Sequence, residues 1–189
     1  MCRIILRLQH VPLLRNLSHG WASCQCGITD AGLVSCSRLR ILFAKCNTQI
    51  TTCAPFARSL VKLDASWDCG IADTGLVLCT RLKILCASYN KKITTCAPFA
   101  KSIRSLSADG AFLNRCGISD AGLVSCCKLK CLRASDNYNI TTCAPFAKSL
   151  RILYADSTCG ITDAGVISCD NLKLLQAEGN PGITKSVKS

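Results

Sequence analysis

Seventeen cysteines, ten aspartates, one glutamate (Glu178) and two histidines (His10 and His19) are the groups in this 189-residue chain with which chemistry could be done. Two histidines leave almost no material for imidazole catalysis, and carboxylate catalysis would fall to aspartate. Cys24 and Cys26 form a C-x-C pair, and Cys126, Cys127 and Cys131 form C-C-x3-C. A zinc site needs two paired knuckles or cysteine combined with histidine, and neither pairing is present, so no metal and no cofactor are expected. Cys86 and Cys131 fall on outward strand positions and are the candidates for reactive thiols. The sequence contains no phosphate-binding loop and no serine–histidine–aspartate pattern, so an enzyme is not expected.

Most of the cysteines belong to a pattern. CGITDAGLVSC at 26–36 returns as CGIADTGLVLC at 69–79, CGISDAGLVSC at 116–126 and CGITDAGVISC at 159–169. ITTCAPFA lies between them at 50–57, 93–100 and 140–147. Eleven cysteines thereby form three columns: Cys26, Cys69, Cys116 and Cys159; Cys36, Cys79, Cys126 and Cys169; Cys53, Cys96 and Cys143. Within a column, neighbours two strands apart are separated by about 10 Å, too far for a disulfide. Cys36 precedes its leucine by three residues and Cys53 by seven, so the columns need not meet either. Small buried apolar side chains in a reducing compartment are the expectation.

The long period of about 43 residues splits into halves, each carrying L-x-x-L-x-A. The motif starts at Leu39, Leu60, Leu82, Ile103, Leu129, Leu150 and Leu172, with a degraded copy at Leu17 in which Gly20 replaces the second leucine. Val11 to Leu17 (VPLLRNL) aligns with Ala54 to Leu60 (APFARSL), which supports that register. The single long step comes from four extra residues between Ala108 and Cys116, predicted to bulge as a loop. A unit of 21 or 22 residues holds one short strand, a turn and one helical or 3₁₀ turn. From about Leu17 to Ile183 the sequence resembles the leucine-rich-repeat family. The CGITDAGL units are most similar to the cysteine-containing subclass found in F-box proteins, and the ITTCAPFA units resemble tandem repeats of large DNA viruses of amoebae. The fold class implied is an α/β solenoid of about eight units, with parallel strands on a concave face and short helical turns on the convex face. Residues 1–16 are expected to be a degenerate cap, 17–183 the solenoid and 184–189 a tail.

Strand alternation assigns roles. Leu42, Leu63, Leu85, Leu106, Leu132, Leu153 and Leu175 should form one inward ladder, the alanines two residues later a second, and the isoleucines from Ile28 to Ile183 a third. Asn47, Asn90, Asn137 and Asn180, on alternate units, should bond the backbone of the bend; Asp68 and Thr158 stand there in the other units, whose bend should be built differently. Asp30, Asp120 and Asp163 read as caps of their own helices, and Pro55, Pro98 and Pro145 as first-turn residues.

The outward positions flanking the second leucine include Trp21, Ile41, Phe43, Ile84, Arg133, Ile152, Tyr154 and Leu174. Apolar residues there mark a contact surface, or else a tolerant strand surface filled with residues of high β-propensity. The position after the first leucine is Arg40, Val61, Lys83, Arg104, Lys130, Arg151 and Lys173, so six of seven are basic in a chain of net charge +12. This basic edge attracts a polyanion weakly, or is a solvated edge whose like charges discourage pairing.

The expected function is a non-enzymatic protein-interaction scaffold with a protein partner on the concave face. The alternatives are a substrate-recognition part of an F-box-type ubiquitin ligase, implied by the resemblance, and polyanion or nucleic-acid binding through the basic edge. The segment before Leu17 is too short for an F-box. No run of about 18 apolar residues is present to span a membrane, and the opening residues mix basic and apolar side chains without the separate apolar core of a secretory signal. An intracellular, reducing location follows, in the host cell if the protein is viral. Little beyond Ile183 can cover the last rung, so fraying or end-to-end self-association is expected there.

Overall fold

The computed structural model describes residues 18–24, 26–111, 113 and 115–184. The expected cap at 1–16 lies outside them. Eight three-residue strands form one parallel sheet in sequence order: β1 (His19–Trp21), β2 (Ile41–Phe43), β3 (Lys62–Asp64), β4 (Ile84–Cys86), β5 (Ser105–Ser107), β6 (Cys131–Arg133), β7 (Ile152–Tyr154) and β8 (Leu174–Gln176). The register never slips: Gly20 pairs with Leu42, Leu42 with Leu63, and so on to Leu153 with Leu175. Each strand is short because only its central residue points inward. That residue is fully buried from β2 to β7 and half-buried at Leu175. Removing a leucine side chain from water contributes about 2 kcal/mol per rung, which no unit could collect without its neighbours.

The return paths alternate. Four-residue helices α1 (Asp30–Leu33), α2 (Asp73–Leu76), α3 (Asp120–Leu123) and α4 (Asp163–Val166) serve one half-unit. The 3₁₀ turns Ala54–Phe56, Ala97–Phe99 and Ala144–Phe146 serve the other. Proline sits in the first turn of each 3₁₀ segment, where its missing N–H leaves no bond unmade, as expected. Phe56, Phe99 and Phe146 then fill the core from that side. The four extra residues after Ala108 leave the β5–β6 register intact, and Leu113 projects from that loop at 86% exposure.

The bends after the strands explain the remaining columns. Asn137 Nδ2 donates to Ala108 O at 2.8 Å and Ile118 O at 3.2 Å, while its Oδ1 accepts from Asn139 N at 3.0 Å. Asn47, Asn90 and Asn180 do the same in their units. The other half-units use cysteine in this role. The Cys116 thiol donates to Ala87 O at 3.4 Å, and the sulfurs of Cys69, Cys116 and Cys159 interact with backbone groups of Ile71, Ile118 and Ile161. The ladder therefore alternates Asn and Cys, and the substituting residue stands one position after Asp68 and Thr158.

Burial pushes these ladder thiols up, Cys69 and Cys159 to about 11 and Cys116 to about 12. A thiol that holds its proton more tightly when folded contributes stability in full below its unfolded value of 9.0 and loses it as pH rises towards 11–12. Each shift of two units corresponds to about 3 kcal/mol. The melting temperature should therefore stay flat up to about pH 8.5 and fall steeply above pH 9, and the Cys69→Ala/Cys116→Ala/Cys159→Ala variant should fall less steeply, the other raised core thiols keeping the rest of the slope. Thermal melts from pH 7 to 11 check this; a wild-type curve as flat as the variant's would contradict it.

Three expectations need correction. Asp30, Asp120 and Asp163 make no cap bond within their own helices, whose N-caps are Thr29, Ser119 and Thr162. Their carboxylates reach forward to the next unit instead. Asp120 Oδ1 accepts from Thr141 N at 2.9 Å, and Oδ2 from the Thr141 hydroxyl at 2.6 Å; Asp30, Asp73 and Asp163 repeat this on Thr51, Thr94 and Thr184. Second, cysteine columns do meet: the thiols of Cys53 and Cys79, Cys96 and Cys126, and Cys143 and Cys169 interact inside the core. That interaction, together with burial, pushes Cys53, Cys96 and Cys143 up. Every described cysteine is a free thiol. Third, Cys86 is not set up to react: burial, then nearby Asp64, push its thiol up and reduce the thiolate fraction.

Candidate interaction surface

Outward side chains of the sheet stand in two columns about 4.8 Å apart along the stack. The sheet is the inner face of the coil, because paired strands sit closer together than the bulkier helical turns on the far side. The residues flanking each buried leucine therefore line the concave surface.

The structure gathers the predicted residues into two patches rather than one. At one end Trp21 stacks on Phe43 with ring centroids 4.1 Å apart and planes 16° from parallel. Lys62 Nζ lies 5.1 Å from the Phe43 centroid, and Ile41 and Ile84 flank the group. At the other end the Arg133 guanidinium lies 5.0 Å over the Tyr154 ring, with Ile152 and Leu174 on the neighbouring column. The small residues Ser105 and Ser107 of β5 separate the patches. Trp21, Ile84 and Leu174 are exposed at 43%, 39% and 43%, while Ile41, Phe43, Ile152 and Tyr154 are half-buried against their neighbours.

Arg133 is held from both sides. Its Nε lies 3.4 Å from Asp109 Oδ2, the one ion pair among the described residues. Asp109 also accepts from Ser135 N at 3.1 Å and shares a hydrogen bond with the Ser88 hydroxyl at 3.1 Å. The network continues through the Ser135 hydroxyl to Asp156, which accepts from Gln176 Nε2 at 3.1 Å and Glu178 N at 2.8 Å. A guanidinium placed over an aromatic ring beside a buried carboxylate presents an oriented polar anchor, with part of its rotamer freedom already given up before binding.

Two features escaped the alternation pattern. The residue two positions after the buried alanine adopts a left-handed conformation without being glycine: Cys24, Cys46, Trp67, Tyr89, Asp136 and Ser157 have φ between 55° and 63°. Their N–H groups extend the ladder, as when Trp67 N donates to Ser88 O at 2.8 Å and Tyr89 N to Asp109 O at 2.9 Å. Backbone of that kind costs about 1 kcal/mol and turns the side chain outward. Trp67 and Tyr89 consequently meet at 4.6 Å beside the concave face, with Lys45 Nζ 5.6 Å from the Trp67 ring. The second feature is convex. Val34, Val77, Val124 and Ile167, just after α1 to α4, are exposed at 57–80%, more than any aromatic of the concave face. Their column alternates with Pro55, Pro98 and Pro145. A position five residues before the first leucine, apolar in every half-unit, was the available signal.

The six basic positions line the edge where the strands begin, interrupted only by Val61 between Arg40 and Lys83. Arg40, Lys83, Lys130 and Lys173 are exposed; Arg104 and Arg151 are half-buried because Arg104 Nη1 donates to Ser102 O and Ile103 O at 3.0 Å and Arg151 Nη1 to Asn171 O at 3.4 Å. Among the described residues no cluster of three or more His, Cys, Asp or Glu side chains is placed to hold a metal ion, and no helix is long and apolar enough to cross a membrane.

Stacked short parallel strands, alternating helical turns and an Asn/Cys ladder at the bend define a leucine-rich-repeat-type α/β solenoid. Among solved structures the chain is similar to an internalin (inlF) from Listeria monocytogenes, with a TM-score of 0.54 and 23% identity over 79% of this chain and 51% of that one. The chain thus spans about half the length of that structure. No protein-family model matches the sequence, and no curated protein matches it.

Proposed function

We propose that this chain is a non-enzymatic scaffold that takes a protein partner on the concave face of its solenoid. The observation that carries the proposal is the pair of oriented anchors: the Trp21–Phe43 stack with Lys62 over it, and Arg133 placed between Asp109 and Tyr154. Aromatic and arginine side chains are the groups that dominate protein interfaces. Two anchored patches separated by small residues fit a partner that bridges them with a protruding element over β5. The free buried thiols suit a reducing compartment.

Phe43→Glu and Tyr154→Glu should each abolish capture of the partner from native cell extract. Both side chains are only half-buried on an outward column, so each change should cost no more than about 1 kcal/mol of lost ring contacts and leave the chain folded at the temperature of the assay. Unchanged capture by both variants would remove the proposal. The substrate-receptor role rests on the F-box-associated resemblance alone, and recovery of a ubiquitin-ligase adaptor in the same experiment would support it.

A further inference from the structure

A line of cations without counter-charges runs along the edge where the strands begin, and no part of the concave-face reading uses it. Its geometry is set by the backbone. Val61 N donates to Arg40 O, Lys83 N to Val61 O, Arg104 N to Lys83 O, Lys130 N to Arg104 O, Arg151 N to Lys130 O and Lys173 N to Arg151 O, all at 2.8–2.9 Å. These residues therefore continue the parallel ladder one step beyond the strands, and their side chains repeat every 4.8 Å or so over a length of about 29 Å. On alternate rungs the Ser59, Ser102 and Ser149 hydroxyls donate to the carbonyls of Leu39, Leu82 and Leu129 at 2.6–2.7 Å, which ties the turns of this edge together.

None of the six cations is in an ion pair, and the turns along this edge carry a single acid, Asp170, at the β8 end. The acids near the strands lie towards the opposite edge: Asp64 is the last residue of β3, and Asp109 and Asp156 follow in the bends. The solenoid is thus polarised across its width. Like charges held at this spacing by a rigid backbone repel one another, and the repulsion is relieved when a polyanion lies along them. No residue of these turns is aromatic, and the aromatic side chains among the described residues are concentrated on the concave face, the bends and the core. That excludes the base-stacking platform a single strand requires. The row also lacks an exposed apolar side chain that could insert into a bilayer.

We propose that this edge binds the phosphate backbone of duplex nucleic acid without reading its sequence. A duplex offers one negative charge per ~1.7 Å of its axis, a charge density well above that of the row, so the row's cations can be neutralised by phosphates along its length. The test is a binding titration of the purified chain against a duplex of about 20 base pairs, between about 50 and 200 mM salt. Parallel titrations use the matching single strand and vesicles containing an anionic lipid. Five or six phosphate contacts give a slope of about −5 in log K against log salt, and an affinity loss of about 10³-fold over that range. Lys83→Glu/Lys130→Glu removes two contacts, so the slope should fall to about −3 and the affinity at low salt by at least ~10-fold. Lys45→Glu/Lys91→Glu changes the net charge equally on the bend side and should leave the slope unchanged; all four lysines are exposed, so both variants should fold. Absence of duplex binding at low salt, a slope near zero, equal effects of the two variants, or tighter binding to the single strand or the vesicles would each overturn the proposal.

Discussion

Asn137→Ala is expected to destabilise the solenoid by about 3 kcal/mol or more, the cost of leaving buried polar groups unmade. The side chain satisfies Ala108 O, Ile118 O and Asn139 N, the first two buried, and it lies in the middle of the stack where neither neighbour can move away. Three hydrogen bonds that tie neighbouring units together are lost at once, so the loss takes the form of a weakened interface within the stack. Cys116→Ala, one unit earlier in the same ladder, removes a longer and weaker bond from a sulfur and should cost about 1 to 2 kcal/mol, mostly as lost packing. Urea unfolding of the two variants checks the pair. Equal losses would show that the Asn and Cys positions of the bend are interchangeable in energy.

Gly122→Ala should have an effect at least as large. A Cβ on Gly122 would lie 2.1 Å from Thr94 O and 3.2 Å from Thr95 Cα, both backbone atoms of the preceding unit. The Gly122 carbonyl meanwhile accepts from Cys96 N at 3.0 Å, so that segment is fixed against the glycine. A clash with backbone in a close-packed stack forces whole units apart, and a loss above ~3 kcal/mol, or failure to accumulate folded protein, is expected. Gly32→Ala is the control: its nearest neighbour is a side-chain methyl of Ile28 at 3.6 Å, and the change should be close to neutral or mildly stabilising through helix propensity. A drop for Gly32→Ala comparable to that for Gly122→Ala would show that glycine is needed for backbone freedom rather than for close approach.

These two positions also show why some of the architecture was legible from the sequence. A period of 21 or 22 residues with leucine, alanine and asparagine at fixed offsets dictates the strand, its inward faces and the bend, because each of those residue types has one physical use there. The partner of Asp120 is not dictated in this way, and its reading as a cap of its own helix failed. Aspartate at the first residue of a helix serves equally well as a local cap or as an acceptor for a neighbouring coil, and only the stacking distance decides that Thr141 wins. The candidate surface was legible in part for a similar reason. Strand alternation predicts which residues point outward, but not that Phe43 packs on Trp21 while Tyr154 takes Arg133, which splits the apolar column into two patches. Trp67 and Tyr89 were invisible because they sit in a left-handed bend, a conformation their types disfavour and the ladder imposes. The core pairing of Cys53 with Cys79 depends on how a 3₁₀ turn and a helix overlap, which spacing along the chain does not encode.

The convex column of Val34, Val77, Val124 and Ile167 is the natural rival to the concave face, since it is apolar, repeated and more exposed. Site-specific photo-crosslinking separates the two most directly. A photoreactive side chain placed at Ile84, on the concave sheet, and in a second protein at Val124, on the convex ridge, is irradiated in native cell extract. Partner binding on the sheet face predicts a discrete cross-linked product from position 84, absent when Tyr154→Glu is added, and none from position 124. A discrete product from position 124 with none from position 84 would contradict the account.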